Sequence, residues 1–265
     1  MPKFSIFILV FIFLFSFFGL FFYNLSPYTL DSHAILLPPS YEHLCGTDRL
    51  GRDILARLME GGQVSLSIGV GSALIASLLG LLIGSMAGYF RGGVDKSFIV
   101  IVDLFLTFPT FFLLLALVSY VNASAWVLIV IISITGWMTT ARLIRSESFK
   151  ITSQPYVKIL NIANVSKIKI LFKYYAPILA PIYFVSFTFG VGGAILSESG
   201  LSFLGLGIVA PQISWGTILS GGKDVVEIAW WVSFFPGLMI FLVTFSLINI
   251  SNYLQQLTNK KQIQN

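Results

Sequence analysis

Six apolar tracts alternate with shorter polar connections along the chain: Phe4–Tyr23, Ser65–Tyr89, Phe98–Val121, Trp126–Leu143, Pro177–Ser197 and Trp230–Asn252. Each is close to the roughly 20 residues that an α-helix needs to cross a hydrocarbon core of about 30 Å. The pattern predicts six membrane-spanning helices. Phe108-Pro109 and Pro236-Gly237 interrupt the third and sixth tracts. A proline there removes a backbone N–H from the helical ladder, so a kink is expected at each. The first tract exceeds the ~7–15 apolar residues of a secretory leader, and no small-x-small cleavage site follows it, so it is expected to be retained as an anchor.

Within the second tract, small residues recur every fourth position at Ser72, Ala76, Gly80, Gly84 and Gly88. Residues four apart share a helix face, and in lipid a face without bulk lets a second helix approach closely. This face is expected to be a packing seam.

Composition agrees with the class. Of 265 residues, 56% are hydrophobic and 25 are Phe, more apolar surface than a soluble domain of this length ordinarily hides. The net charge of +5 would suggest a nucleic-acid surface only if the basic residues were gathered on one face. Instead they are distributed between the tracts and read as topology. With the N-terminus inside, the inner segments hold Lys3, Arg91, Lys96, Arg142, Arg145, Lys150, Lys158, Lys167, Lys169, Lys173, Lys260 and Lys261, and the outer ones only Arg49, Arg52, Arg57 and Lys223. That asymmetry predicts cytoplasmic termini. The expected fold class is an all-α polytopic membrane protein, with no nucleic-acid partner.

The polar clusters are few. "GTDRLGRDILARL", Gly46 to Leu58, is predicted to lie outside as a short amphipathic helix capped by Thr47 or Asp48. Leu50, Ile54 and Leu58 would share one side, with Arg49–Asp53 and Asp53–Arg57 spaced to pair on the other. Gly46, Thr47, Asp48, Gly51, Arg52, Asp53 and Arg57 are its candidate residues for contact with a partner at the outer mouth; a surface helix that only orients the chain fits equally. Asp103 and Glu198 fall within or near spans, where a carboxylate is costly and usually faces a cavity or a partner, and no basic residue stands at a matching depth in the pattern. His33, His43 and Cys45 share one connection, but their spacing matches no standard metal site, and none is expected. The stretches "GGVDKS" and "GGKD" both fail the spacing of a phosphate-binding loop, and no catalytic triad or paired carboxylates occur. The chain is therefore not expected to be an enzyme or to bind a cofactor itself. Arg142 to Tyr175 forms the longest inner segment, rich in Lys, with Pro155 suited to start a helix. It suits either an interfacial helix on anionic lipid or a docking element for a cytoplasmic protein.

Three stretches resemble a known family in the order that family has them: "CGTDRLGRDILARLMEGGQVSLSIGV", "YFRGGVDKSFIVIVDLFLTFPTFFLLLAL" and "ILSESGLSFLGLGIVAPQISWGTILSGG". The family is the second permease subunit of dipeptide, oligopeptide and nickel ABC importers, and the likeness runs from about Leu44 to Tyr253. The resemblance implies a type I importer fold of six helices in a bacterial or archaeal cytoplasmic membrane. It further implies a homologous second permease, an external solute-binding protein and two cytoplasmic ATPase subunits that use ATP and Mg. The layout it suggests is an anchor at 1–24, an external connection at 25–64 carrying the amphipathic helix, a permease domain at 65–253 with a coupling loop at about 143–176, and a cytoplasmic tail at 254–265. The family's coupling motif carries over as Tyr156, Val157, Ser166, Phe172 and Pro177. Its Glu-Ala-Ala stands here as Lys158, Ile159 and Leu160, and its Gly as Asn164. Asn is the non-Gly residue that best accepts a left-handed turn, so the loop geometry can persist. The Glu-to-Lys reversal implies either an altered ATPase groove or weakened coupling. A decoupled scaffold that kept the fold, or an ATP-independent carrier, are the competing readings, the latter expecting more polar pathway residues.

Overall fold

The computed structural model describes residues 2–264, with side chains through Thr258. Lys260 and Lys261, counted above among the inner charges, lie outside the described side chains, and Asn265, the end of the expected tail, lies outside the described residues. The described chain is helical: α1 (Lys3–Phe22), α2 (Ile54–Phe90), α3 (Gly92–Leu106), α4 (Thr110–Val118), α5 (Ala125–Thr152), α6 (Pro155–Ile162), α7 (Lys167–Ile170), α8 (Ala176–Phe203), α9 (Trp215–Gly222) and α10 (Trp231–Gln264). A π-helical turn, Leu171–Tyr175, joins α7 to α8. Five helices or joined segments are long and apolar enough to cross a membrane, and α3 with α4 makes a sixth, bent span.

Several spans run past their apolar tracts. α2 begins at Ile54 rather than Ser65 and holds 37 residues, about 55 Å of helix. Its polar first turns are possible because Arg57 finds partners within the chain, the Pro27 carbonyl at 3.3 Å and the Asp48 carboxylate at 3.5 Å. The third span breaks by 78° between Leu106 and Thr110. Pro109 explains the break: it lacks an N–H, and the residue before it is pushed out of the helical region. At Pro236 no break occurs, and α10 runs through it and on into the segment expected as a cytoplasmic tail. Pro236 sits only five residues after Trp231, in the second turn, so little ladder precedes it.

The ladder Ser72, Ala76, Gly80, Gly84 and Gly88 faces α5. Ser133 Oγ donates to the Ser72 carbonyl at 3.2 Å. A Cβ added at Gly80 would stand 2.7 Å from Thr140 Cβ, one at Gly88 2.5 Å from Ser148 Cβ, and one at Gly84 would collide with the Ala141 carbonyl. Backbone contact this close explains the three glycines. α8 packs on both members of the α2–α5 pair, α10 packs on α8, and α1 packs on α2 and α10. At the Asp53 end of the bundle, Ile54, Leu58, Trp215 and Trp231 form one core; at the opposite end, Tyr89, Ile144, Val157, Tyr175 and Leu179 form another.

Candidate functional site

Between α2, α4, α5, α8 and α10 lies a cleft of about 380 Å³. Its lining is uncharged and mostly apolar, with Leu114, Ile132 and Phe189 among it, and polar groups are set into that wall: Ser72 and Ser77 from α2, Thr135 and Thr139 from α5, Ser186 and Ser197 from α8, with Asn252 and Gln255 from α10. Ser and Thr in a helix usually return their proton to a carbonyl one turn back, and Ser77 and Thr135 do so. Such a wall can shelter a polar solute in the bundle without fixing a charge there. Apart from Ser72, which belongs to the small-residue ladder, the sequence does not single these residues out, because hydroxyls scattered through apolar tracts carry no periodic signal.

The two intramembrane acids have separate fates. Asp103 accepts from Arg142 Nη2 at 2.6 Å, and both side chains are more than half exposed. The expectation that no base stands at its depth is corrected: α3 runs antiparallel to α5 and carries the acid to the base. Glu198 is fully buried, and no cation among the described residues pairs with it. Its Oε1 accepts from Ser202 Oγ at 2.7 Å and its Oε2 from Ser65 Oγ at 3.3 Å. Both hydroxyl oxygens accept in turn from backbone N–H groups, Ser202 from Ile208 at 3.3 Å and Ser65 from Trp215 at 3.1 Å. Each hydroxyl thus has its single proton directed at Glu198, and the carboxylate pins α2, α8 and the first turn of α9 together.

At the Val157 end, α6 crosses beneath the bundle. Pro155 starts it in the first turn, where its missing N–H costs nothing. Val157 is fully buried among Tyr89, Ile151, Ile170 and Tyr175, while Tyr156, Lys158, Ile159 and Phe172 are exposed. Leu160 is half-buried and packs on the same core. Asn164 ends the helix at φ +53°, donating to the Asn161 carbonyl at 3.1 Å, and Val165 N–H reaches back to the Leu160 carbonyl at 3.1 Å. This is a Schellman closure with Asn in the left-handed position. Ser166 then caps α7 by accepting from Lys169 N–H at 3.4 Å, and Pro177 lies in the first turn of α8. Tyr89, near the end of α2, donates to Asn161 Oδ1 at 2.8 Å.

At the Asp53 end, "GTDRLGRD" is not an amphipathic helix. Gly46 and Gly51 take φ +75° and +71°, and residues 47 and 53 close a single antiparallel bridge. A side chain at Gly51 would strike the Asp31 carbonyl, so the turn requires glycine twice over. Ile54 and Leu58 are buried, as one apolar side would have them, but Leu50 is half exposed. The pairs differ from those that helical spacing suggests. Asp53 Oδ1 caps α2 by accepting from Ala56 N–H at 2.8 Å, and its Oδ2 takes Tyr23 OH at 3.2 Å and lies 2.9 Å from His43 Nδ1. Asp48 pairs with Arg52 at 2.7 Å and Arg57 at 3.5 Å, while Arg49 reaches Asp224 at 3.0 Å. Trp231 Nε1 donates to the Thr47 carbonyl at 3.1 Å, tying the turn to α10. Thr47, Asp48, Asp53 and Arg57 are buried, so the motif is a staple inside the fold more than a surface. Burial, reinforced by the negative charge of Asp53, pushes the Cys45 thiol up to about 11. The same two causes raise the Tyr23 hydroxyl.

Long apolar helices around an uncharged cleft suit a membrane permease. Residues 80–262 match the family described as binding-protein-dependent transport system inner membrane component. The chain belongs to that family, as an inner-membrane permease subunit. It is 34% identical to the dipeptide transport system permease protein DppC of Bacillus subtilis, over 97% of this chain and 81% of that one. To the oligopeptide permease OppC of Mycobacterium tuberculosis it is 33% identical, over 83% and 77%. To the nickel permease NikC of Escherichia coli it is 32% identical, over 84% and 81%. Among solved structures, a chain of the inward-facing MetNI methionine ABC transporter superposes with a TM-score of 0.59 at 15% identity, covering 76% of this chain and 97% of that one. The fold is that of the type I ABC importer permeases. Members of this family are transport subunits and not enzymes.

Proposed function

We propose that this chain forms half of the translocation pathway of an ATP-driven importer for peptides or a related small solute such as a nickel chelate. A homologous second permease closes the cleft from the other side. An external solute-binding protein delivers to the Asp53 end, and two ATPase subunits, which hold the ATP and Mg, dock on α6 at the Val157 end. The basic residues gathered at the Val157 end support a cytoplasmic location for it, with both termini on that side.

The single observation that carries the reading is that one set of helices joins the two places an importer must link. α2, α5 and α8 each give a middle stretch to the cleft wall, and Tyr89, Ile151 and Leu179 on the same helices share a core with Val157 of α6. Tyr156, Lys158, Ile159 and Phe172 remain exposed beyond it. A push on that exposed face reaches the cleft through packed side chains, with Val157, Leu160 and Asn164 fixing the angle of α6. Lys158 puts a positive charge where the family pattern has Glu, so the matching ATPase groove is expected to carry an acid. Anionic lipid around the basic α7 segment would hold the same face near the membrane.

Affinity purification of the tagged chain from its native membrane tests this. Recovery of a second permease and two ATPase subunits is the expected result. Recovery of the second permease alone, with ATPases returning in Lys158→Glu, would instead favour a decoupled scaffold. Recovery of no second permease would overturn the reading.

A further inference from the structure

Beside the α2–α3 connection lies another cavity, of about 590 Å³. Ile83 and Met86 of α2, Val94, Phe98 and Ile101 of α3 and Trp137 of α5 line it, and no charged side chain does. Met86, Val94 and Ile101 are each about half exposed, so the groove opens away from the bundle. Its shape follows from the backbone. Arg91 and Gly92, which join the two helices, both take positive φ, and a Cβ at Gly93 would meet nothing within 4 Å. Of the fifteen residues of α3, only Phe98 and Val102 are buried. One flank of α3 is therefore unfilled, where packed proteins ordinarily leave few voids.

The end of the groove nearest Phe90 is basic. Ile83, Met86 and Phe90 follow one face of α2 at helical spacing. Lys167 Nζ lies 5.2 Å from the centre of the Phe90 ring and has no carboxylate partner among the described residues. Arg145, 5.8 Å from the centre of the Phe98 ring, is by contrast paired with Asp95. The sequence offers Lys167 no acid on its own segment: none occurs between Glu147 and Glu198, while Lys150, Lys158, Lys167, Lys169 and Lys173 all fall there. An apolar groove and an unpaired cation thus adjoin within about one helical turn. An apolar helix of another subunit would fill the groove and leave the cation unmet. A phospholipid satisfies both, with an acyl chain for the groove and an anionic head for the lysine.

We infer that this groove is a phospholipid site: an acyl chain lies between α2 and α3 against Ile101 and Trp137, and an anionic head group meets Lys167. The lipid supplies the packing that α3 lacks on that flank. The site stands apart from the cleft and does not depend on which solute passes there.

The test uses the complete transporter, purified with its partners and equilibrated in nanodiscs of equal phosphatidylglycerol and phosphatidylcholine, then released and weighed by native mass spectrometry. The parent is expected to retain lipid and to favour phosphatidylglycerol about fivefold, the preference that one lysine near a membrane surface confers. Ile101→Trp fills the groove and is expected to lower the count by one lipid per copy of this chain. Ser97→Trp, at an exposed position of the same wall, serves the same purpose should Ile101→Trp fail to assemble. Lys167→Glu is expected to keep the count and abolish the preference. Equal counts in the parent and the Trp variants, or an unchanged preference in Lys167→Glu, would overturn the site. Benzoylphenylalanine in place of Val94 identifies the occupant directly: a photo-crosslink to phospholipid is expected, and a crosslink to the second permease instead would overturn the inference.

Discussion

Tyr89 donates a hydrogen bond to Asn161 across 2.8 Å, joining the end of α2 to α6. The bond ties the helix that walls the cleft to the helix proposed to meet the ATPase. Tyr89→Phe keeps the ring that packs edge-on against Tyr175 and removes only the hydroxyl. The expected result is a purified complex of unchanged composition, a stability loss of about 1 kcal/mol, and fewer solutes moved per ATP. Unchanged coupling stoichiometry would assign the bond to local folding alone.

Asn164 holds the left-handed position that ends α6. Asn164→Gly is expected to be neutral or slightly stabilising, because glycine enters that region freely. Asn164→Val should cost about 1–2 kcal/mol and reduce ATPase recovery in co-purification, since the exposed face of α6 would be turned.

Asp53 does three jobs with two oxygens: it caps α2, accepts from Tyr23 and pairs with His43. Asp53→Asn retains a capping oxygen and should cost less than Asp53→Ala, for which about 2 kcal/mol is expected from the lost cap and stranded donors. Thermal melting in detergent would order the variants. Asp53→Lys is expected to impair folding itself, because it buries a positive charge against the amide groups of the first turn of α2.

Cys45 gives a pH prediction. Burial first, and the charge of Asp53 second, raise the thiol to about 11. The thiolate, the reactive form, is therefore scarce at pH 7 and accumulates only as pH rises toward that value. Reaction with a small maleimide should be slow at neutral pH and accelerate above pH 9. Asp53→Asn lowers the thiol pKa and should speed the reaction at fixed pH. Because a folded thiol pKa raised above its unfolded value favours the protonated form, this group's contribution to stability is present at neutral pH and is lost as pH climbs through the folded value.

The spans were legible because each tract stays predominantly apolar over the length a span needs, and the bend at Pro109 followed from the missing N–H. The start of α2 was not: Arg57 and Glu60 look like connection residues, and nothing local tells that Arg57 reaches Asp48 and the Pro27 carbonyl. The spacing of Arg49, Asp53 and Arg57 suited a helix, but Gly46 and Gly51 turn the chain at positive φ, and Arg49 finds its acid 175 positions away at Asp224. Short α9 escaped notice because its eight residues, with three glycines, carry no span-length pattern; Glu198 and Trp215 hold it in place. In the coupling segment, Pro155 and Asn164 did signal where α6 begins and ends. The cleft was hidden, since its hydroxyls come from five helices and meet only in space.

The central claim, that α6 transmits ATP-driven motion to the cleft, is tested most directly by Ile159→Asp, which places a charge on the exposed face of α6 without touching its buried side. The measurement is ATP-dependent trialanine uptake by the reconstituted complex alongside its ATP hydrolysis. Uptake is expected to fall at least tenfold while the chain and its second permease remain assembled. Uptake at the parental rate, with normal hydrolysis, would contradict the account.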